Sequence, residues 1–136
     1  MWRDWTPGAV YERQCYFYAE WTDEAAALYI AMDRELQQLL RTLGVREGAV
    51  PDVLTYYESH DAASLAAKLR SIPAFQPILS PMKAVPGGYV PDFQSRYFTE
   101  DFPYGLQPIV ELARQYNVPA PHMVEVLAWG KNVASN

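Results

Sequence analysis

Residues 22 to 44 read TDEAAALYIAMDRELQQLLRTLG and contain the strongest helix signal in the chain. Thr22 is a good N-cap because its hydroxyl can accept a backbone N–H that lacks a partner inside the helix, and two acidic residues then suit the positive end of the helix dipole. Gly44 is typical of a helix stop. Apolar residues recur at steps of three and four: Ala25, Leu28, Met32, Leu36, Leu39 and Leu43. The stretch predicts an amphipathic helix of about twenty residues.

The segment before this helix is rich in aromatic side chains. Seven occur in the first 21 residues: Trp2, Trp5, Tyr11, Tyr16, Phe17, Tyr18 and Trp21. A free tail of this composition would expose too much apolar surface to water. We therefore expect the segment to pack, either in the core or on a face that meets another domain.

Two shorter helices are predicted directly after the long one. Pro51 suits the first turn of a helix that we expect to end near residues 59 and 60. Asp61 can cap the next helix, whose apolar stripe consists of Leu65, Ala66 and Leu69. Pro73 interrupts that stripe because proline has no N–H to donate and its ring clashes with the preceding turn.

The segment from residue 73 to residue 91 predicts irregular structure. It contains five prolines and a pair of adjacent glycines, a composition that cannot sustain a regular helix. We expect residues 80 to 91 to form an extended loop. No stretch alternates apolar and polar residues for long, so strand signals are weak and the fold class is predicted to be all-α.

Helical spacing returns in the C-terminal third of the chain. Helical spacing resumes at Leu106, and a last helix is predicted to open at residues 119 to 121, PAP. Asn117 is expected to end the first of these helices and Gly130 the second, because both residue types tolerate the left-handed conformation of a C-terminal cap.

The composition limits the class of protein. The chain has 136 residues, half of them apolar. This length suffices for one compact domain with a core and is too short for two ordinary domains. The formal net charge is -5 and the 11 basic residues are scattered, which disfavours binding to the phosphates of nucleic acid. No apolar run approaches the roughly 18 residues that a membrane helix needs. We expect a single soluble, cytoplasmic domain over residues 1 to 136.

Reactive residue types are few. Cys15 is the only cysteine, so no disulfide can form within the chain, and its aromatic surroundings predict a buried, inert thiol. His60 and His122 are the only histidines, and because neither has metal-ligand spacing we expect no metal site. Both glycine-rich phosphate-binding turns, G-x-G-x-x-G and G-x-x-x-x-G-K-[ST], are absent, so this chain alone should not bind a nucleotide tightly.

Arg96 and Asp101 flank a short aromatic stretch ahead of a helix that is predicted to begin near residue 103 or 104. Arginine can bind a carboxylate through two parallel hydrogen bonds, and aspartate can orient an imidazole that transfers protons. The structural alternative is that Asp101 caps the following helix, Glu100 favours its dipole, and Arg96 pairs with either carboxylate. Spacing alone favours this alternative.

Residues 96 to 106, RYFTEDFPYGL, resemble the C-terminal signature of the octopine/nopaline (opine) dehydrogenase family. The likeness continues through QPIV at residues 107 to 110 and NVPAP at residues 117 to 121. Weaker likenesses are FYAEW at residues 17 to 21, and the body and end of the long helix. The resemblance therefore extends over nearly the whole chain.

The resemblance implies an enzyme that joins the amino group of an amino acid to the carbonyl of an α-keto acid, commonly pyruvate. The resulting imine is reduced with hydride from NADH or NADPH. By resemblance, Arg96 is substrate-binding and Asp101 is catalytic, as the partner of a histidine. The family's histidine lies just upstream of the aromatic segment, and neither His60 nor His122 matches it.

The implied enzyme has a Rossmann NAD(P)-binding domain followed by an all-α domain, which is related to the C-terminal helical fold of 6-phosphogluconate dehydrogenase. We expect residues 1 to 136 to be the second of these domains, with the Rossmann domain absent from this chain and the isolated chain inactive. The expected partners are the two substrates, the Rossmann domain and, in a homodimer, a second copy. The alternative is a non-catalytic helical binding or dimerisation module.

Overall fold

Helix α1, Asp23–Thr42, contacts both of the apolar clusters that form the core. This computed structural model describes residues 2 to 135. The hydroxyl of Thr22 accepts a hydrogen bond from the backbone N–H of Ala25 at 3.1 Å, and Gly44 has a φ of 76° beyond the end of the helix. The predicted long helix and both of its end signals are confirmed.

The remaining helices are shorter. They are α2 Val53–Tyr56, α3 Ala62–Ser71, α4 Arg96–Thr99, α5 Gln107–Gln115 and α6 Pro121–Ala134, with a 3₁₀ turn at Pro73–Phe75 and a π-helical turn at Asp101–Leu106. The predicted cap of α3 is confirmed, since the Asp61 carboxylate accepts from the backbone of Ser64 and the Ser64 hydroxyl accepts from the backbone of Asp61. Among the described helices, none is long and apolar enough to span a membrane.

The two apolar clusters lie at opposite ends of α1. Its N-terminal half contributes Ala26 and Ile30 to the first cluster, which is completed by Val53, Leu65, Ala66 and Leu69. Its C-terminal half contributes Leu39, only 2% exposed, to the second cluster with Val110, Ala113, Val118, Ala120, Met123 and Leu127. Burial of one leucine side chain stabilises a fold by about 1.5 to 3 kcal/mol. Helix α1 thus joins α3 on one side to α5 and α6 on the other. Leu39 belongs to the predicted apolar stripe, whereas Ala26 and Ile30 do not, so the predicted core face is partly wrong.

Glu35 is a buried acidic residue that ties α1 to the start of α6. One carboxylate oxygen accepts the backbone N–H of His122 at 2.8 Å and lies 2.7 Å from the imidazole Nδ1 of the same residue. The other oxygen accepts the N–H of Met123 at 2.9 Å. The first N–H groups of a helix lack partners inside it, so Glu35 caps α6 from a different helix.

A hairpin replaces the extended loop that the sequence predicts for residues 80 to 91. Strand β1, Met82–Val85, pairs antiparallel with strand β2, Gly88–Pro91, and a two-residue turn joins them. The chain segment at Tyr11 then pairs with Tyr89 through two backbone hydrogen bonds of 2.8 Å. The domain is mostly helical with this small sheet, which confirms the predicted helical fold class. The prediction of an extended loop for residues 80 to 91 is wrong.

The end of the last helix also differs from the prediction. α6 continues through Gly130 to Ala134, so Gly130 does not end it. A Cβ at position 130 would lie 2.0 Å from the Phe102 ring, which shows that glycine is needed there for close packing. Asn117 does end α5, because its φ is 54° and Val118 donates to the carbonyl of Ala113.

Candidate active-site cleft

A cleft of about 500 Å³ lies where the N-terminal segment meets α4 and the π-helical turn. It is lined by Trp2, Cys15, Phe17, Glu20, Trp21, Thr22, Ala25, Ser80, Pro81, Tyr97, Phe98, Asp101, Phe102 and Trp129. Half of these residues are aromatic, and Asp101 and Glu20 are the acidic ones. Clefts of this size with apolar walls and a few polar groups are typical small-molecule sites.

The N-terminal segment forms one wall of the cleft by packing on the C-terminal half of the chain. Phe17 stacks on Tyr97 with ring centroids 5.4 Å apart, and Trp2 is 7% exposed with its ring edge-on to Phe93. The prediction that this aromatic segment must pack is therefore confirmed. Because Trp2 and Phe17 also border the cleft, the segment serves both the core and the site.

Asp101 begins the π-helical turn that separates α4 from α5. Pro103 and Pro108 each remove a backbone N–H from the helical ladder, which accounts for irregular geometry between them. The regular helix consequently starts at Gln107, later than the predicted start near residue 103 or 104. Neither this turn nor α5 has a capping side-chain hydrogen bond, so the predicted alternative role of Asp101 as a cap is not what the fold uses. The carboxylate is instead exposed in the cleft wall.

Arg96 lies on α4 outside the lining of the cleft. Its Nε and Nη2 atoms donate hydrogen bonds of 2.9 Å to the two carboxylate oxygens of Glu100, one helical turn away, and its side chain is 86% exposed. These hydrogen bonds and the charge of Glu100 raise the pKa of Arg96, and the charge of Asp101 adds to the effect. The structure thus places Asp101 in the cleft lining and Arg96 outside it, in the exposed ion pair that the structural alternative predicts for Arg96.

Glu20 is a residue of the cleft lining that was not predicted from the sequence. Arg13 donates hydrogen bonds of 2.9 and 2.7 Å to its two oxygens, and the backbone N–H of Tyr16 also donates to it. The Arg13 hydrogen bonds hold the pKa of Glu20 below its usual value. No sequence signal predicts this pair, because a separation of seven residues in irregular backbone has no fixed geometry.

The cysteine lies in the cleft wall, and the two histidines lie outside it. Cys15 is half-buried in the cleft wall, and burial raises the pKa of its thiol, so the thiol stays protonated at neutral pH. His60 is exposed at the start of α3, and His122 contacts Glu35. Neither histidine lines the cleft. Within residues 2 to 135 there is no cluster of three His, Cys, Asp or Glu that could hold a metal.

The arrangement of helices around the cleft is that of the helical domain of octopine dehydrogenase. A solved structure of octopine dehydrogenase with NADH and pyruvate superposes with a TM-score of 0.86 at 24% identity and covers 98% of this chain and 34% of that chain. A second, with NADH and L-arginine, gives a TM-score of 0.85 at 25% identity and covers 98% of this chain and 36% of that chain.

Sequence comparison identifies the family. Residues 6 to 134 match the family described as NAD/NADP octopine/nopaline dehydrogenase, alpha-helical domain, and this chain belongs to that family. An opine dehydrogenase of Haliotis discus hannai is 32% identical over 140 residues, which cover 94% of this chain and 34% of that protein. The chain spans about a third or less of the length of the curated relatives it matches. The predicted resemblance is confirmed.

Proposed function

We propose that this chain is the substrate-binding domain of an NAD(P)H-dependent opine dehydrogenase. The enzyme condenses an amino acid with an α-keto acid such as pyruvate and reduces the imine that forms. The observation that carries the proposal is Asp101, an exposed carboxylate in the wall of an aromatic cleft and one helical turn beyond Arg96, within the family's signature segment. The octopine dehydrogenase structures with NADH, pyruvate and L-arginine support the same classes of cofactor and substrate.

Arg96 is assigned to the carboxylate of the keto acid. Its planar guanidinium presents two parallel donors, and in the free domain these donors are bound to Glu100. An incoming carboxylate would replace Glu100 with the same geometry. The exchange costs little because an exposed ion pair contributes only about 0 to 1 kcal/mol. Arg96 therefore orients the keto acid as well as attracting it.

Asp101 is assigned as the partner of a histidine supplied by the rest of the enzyme. A carboxylate that accepts a hydrogen bond from an imidazole fixes its tautomer and stabilises the imidazolium. The imidazolium can then give a proton to the carbonyl oxygen of the keto acid, which leaves as water when the amine condenses. The aromatic walls of the cleft exclude water and so protect the imine from hydrolysis.

The reduced nicotinamide supplies the hydride that converts the imine to the secondary amine. The chain has no glycine-rich phosphate-binding turn, so we assign dinucleotide binding to a Rossmann domain of the same enzyme. The choice between NADH and NADPH belongs to that domain. The contribution of this chain is the keto-acid anchor, one supporting carboxylate and the walls of the cleft.

The test is steady-state oxidation of NADH and of NADPH by the enzyme assembled from this chain and its Rossmann domain. We expect oxidation only when an amino acid and pyruvate are both present, with the N-(1-carboxyethyl) amino acid as the product by mass spectrometry. The 136-residue chain alone should show no oxidation, and turnover by it would contradict the assignment of the cofactor. Absence of turnover in the assembled enzyme with every amino acid would refute the function.

A further inference from the structure

The inner wall of the cleft is a set of packed aromatic rings. Phe98 and Phe102 lie nearly parallel with centroids 5.5 Å apart, and Trp129 contacts both at 5.8 and 6.3 Å. Phe98 is 7% exposed, so these rings are already fixed by one another before any ligand binds. A preformed apolar wall favours an apolar group, because binding removes both surfaces from water without a cost for ordering the site.

Glu20, one of the two acidic residues that line the cleft, already has a cationic partner. Both oxygens of Glu20 accept hydrogen bonds from the guanidinium of Arg13, and the backbone of Tyr16 supplies a third donor. The side chain of Glu20 is 32% exposed, so the pair lies at the border of the cleft. Among the described residues that line the cleft, the other carboxylate is Asp101, which the proposed function commits to a histidine.

We propose that the amino acid taken by this cleft has a bulky, uncharged side chain, aromatic or branched aliphatic, and that Arg13 determines this preference by neutralising Glu20. This inference rests on the proposed function, because it specifies the class of amino acid that the proposed enzyme uses.

A cationic side chain is disfavoured by the same contacts. The aromatic rings offer it cation–π attraction, but a guanidinium or ammonium group that leaves water also needs a carboxylate partner. Both oxygens of Glu20 already accept hydrogen bonds from Arg13, and the positive charge of Arg13 repels a second cation beside it. A phenyl or isobutyl group carries no charge, so it needs no carboxylate partner when it leaves water and covers the rings.

The experiment compares kcat/KM for L-phenylalanine and L-leucine with that for L-arginine, each with pyruvate, in the assembled enzyme. We expect the apolar amino acids to be preferred by at least about tenfold. In Arg13→Gln the carboxylate of Glu20 is released and can pair with the substrate guanidinium. The ratio of L-arginine to L-phenylalanine use should then rise by roughly threefold to tenfold.

Two matched variants control this result. Glu20→Gln removes the carboxylate and leaves Arg13 charged, so the ratio should stay at or below that of the unmodified enzyme. Arg3→Gln breaks an Arg–Glu pair of the same 2.7 Å length, between Arg3 and Glu125 outside the cleft lining, and should leave the ratio unchanged.

The possible failures are distinguishable. A preference of the unmodified enzyme for L-arginine, or an unchanged ratio in Arg13→Gln, overturns the inference while the proposed function stands. No turnover with any amino acid overturns both. Trp2, Trp21 and Trp129 line the cleft, so tryptophan fluorescence of the 136-residue chain gives a second measurement that does not depend on turnover. L-phenylalanine should change this fluorescence at lower concentration than L-arginine, and the reverse order contradicts the inference.

Discussion

Glu35→Ala should lower the free energy of unfolding by about 3 to 5 kcal/mol, because it removes the acceptor of two backbone N–H groups at the start of α6. The side chain is 9% exposed and receives the N–H groups of His122 and Met123 at 2.8 and 2.9 Å, besides the His122 imidazole at 2.7 Å. Truncation leaves two backbone donors at the start of α6 without these acceptors, at about 1 to 3 kcal/mol each. With an unfolding entropy of about 2.1 cal/mol/K per residue, Tm should fall by roughly 10 to 17 °C.

Urea denaturation followed by circular dichroism measures this loss. Glu125→Ala is the matched control, because Glu125 lies on α6, the helix that Glu35 caps, and forms an exposed pair with Arg3. The side chains of Glu125 and Arg3 are 58% and 72% exposed. That pair should contribute no more than about 1 kcal/mol. If Glu35→Ala costs no more than Glu125→Ala, the cross-helix cap does not hold α1 to α6 and the account of the core is wrong.

Three further predictions concern packing, pH and catalysis. Gly130→Ala brings a Cβ to 2.0 Å from the Phe102 ring, so thermal denaturation should show a net loss of about 1 to 2 kcal/mol after the gain in helix propensity. Asp61→Ala should destabilise the domain at neutral pH, where Asp61 is charged. The Ser64 hydrogen bonds lower the folded pKa of Asp61, so the difference from the unmodified protein in urea titrations should shrink as pH falls through that lowered pKa. Asp101→Asn should reduce kcat by roughly 10²-fold to 10⁴-fold in steady-state assays while Tm changes little.

Most of the helical framework could be predicted because its signals are local. Thr22, Gly44 and Asp61 act through hydrogen bonds or backbone conformations within a few residues of themselves. Such features do not depend on where the rest of the chain lies, so the sequence specifies them directly.

The features that were predicted wrongly from the sequence depend on contacts between distant segments. Gly88 reads as part of a loop, but its role is to let strand β2 approach the backbone of Tyr11, where a Cβ would lie 2.1 Å from the carbonyl oxygen. Gly130 reads as a helix stop, but it makes room for Phe102. In both cases glycine has no Cβ and so permits a close approach between segments that are distant in sequence. Only the folded chain brings these segments together.

The candidate site was partly predictable for a similar reason. Asp101 and Arg96 lie in one continuous segment, so the motif identifies both, and the Arg96–Glu100 pair follows from helical spacing. The Arg13–Glu20 pair is formed by irregular backbone and carries no periodic signal. The aromatic wall also includes Trp129, which contacts Phe98 and Phe102 but is far from the motif in sequence.

Steady-state kinetics of Arg96→Ala in the assembled enzyme show whether this domain anchors the keto acid. Loss of the two guanidinium donors should lower kcat/KM for pyruvate by at least about a hundredfold. Tm should change by only a few degrees, because the pair with Glu100 that is lost is exposed. Unchanged use of pyruvate together with a clearly lower Tm would rule out Arg96 as the keto-acid anchor and favour a helical module without a role in chemistry.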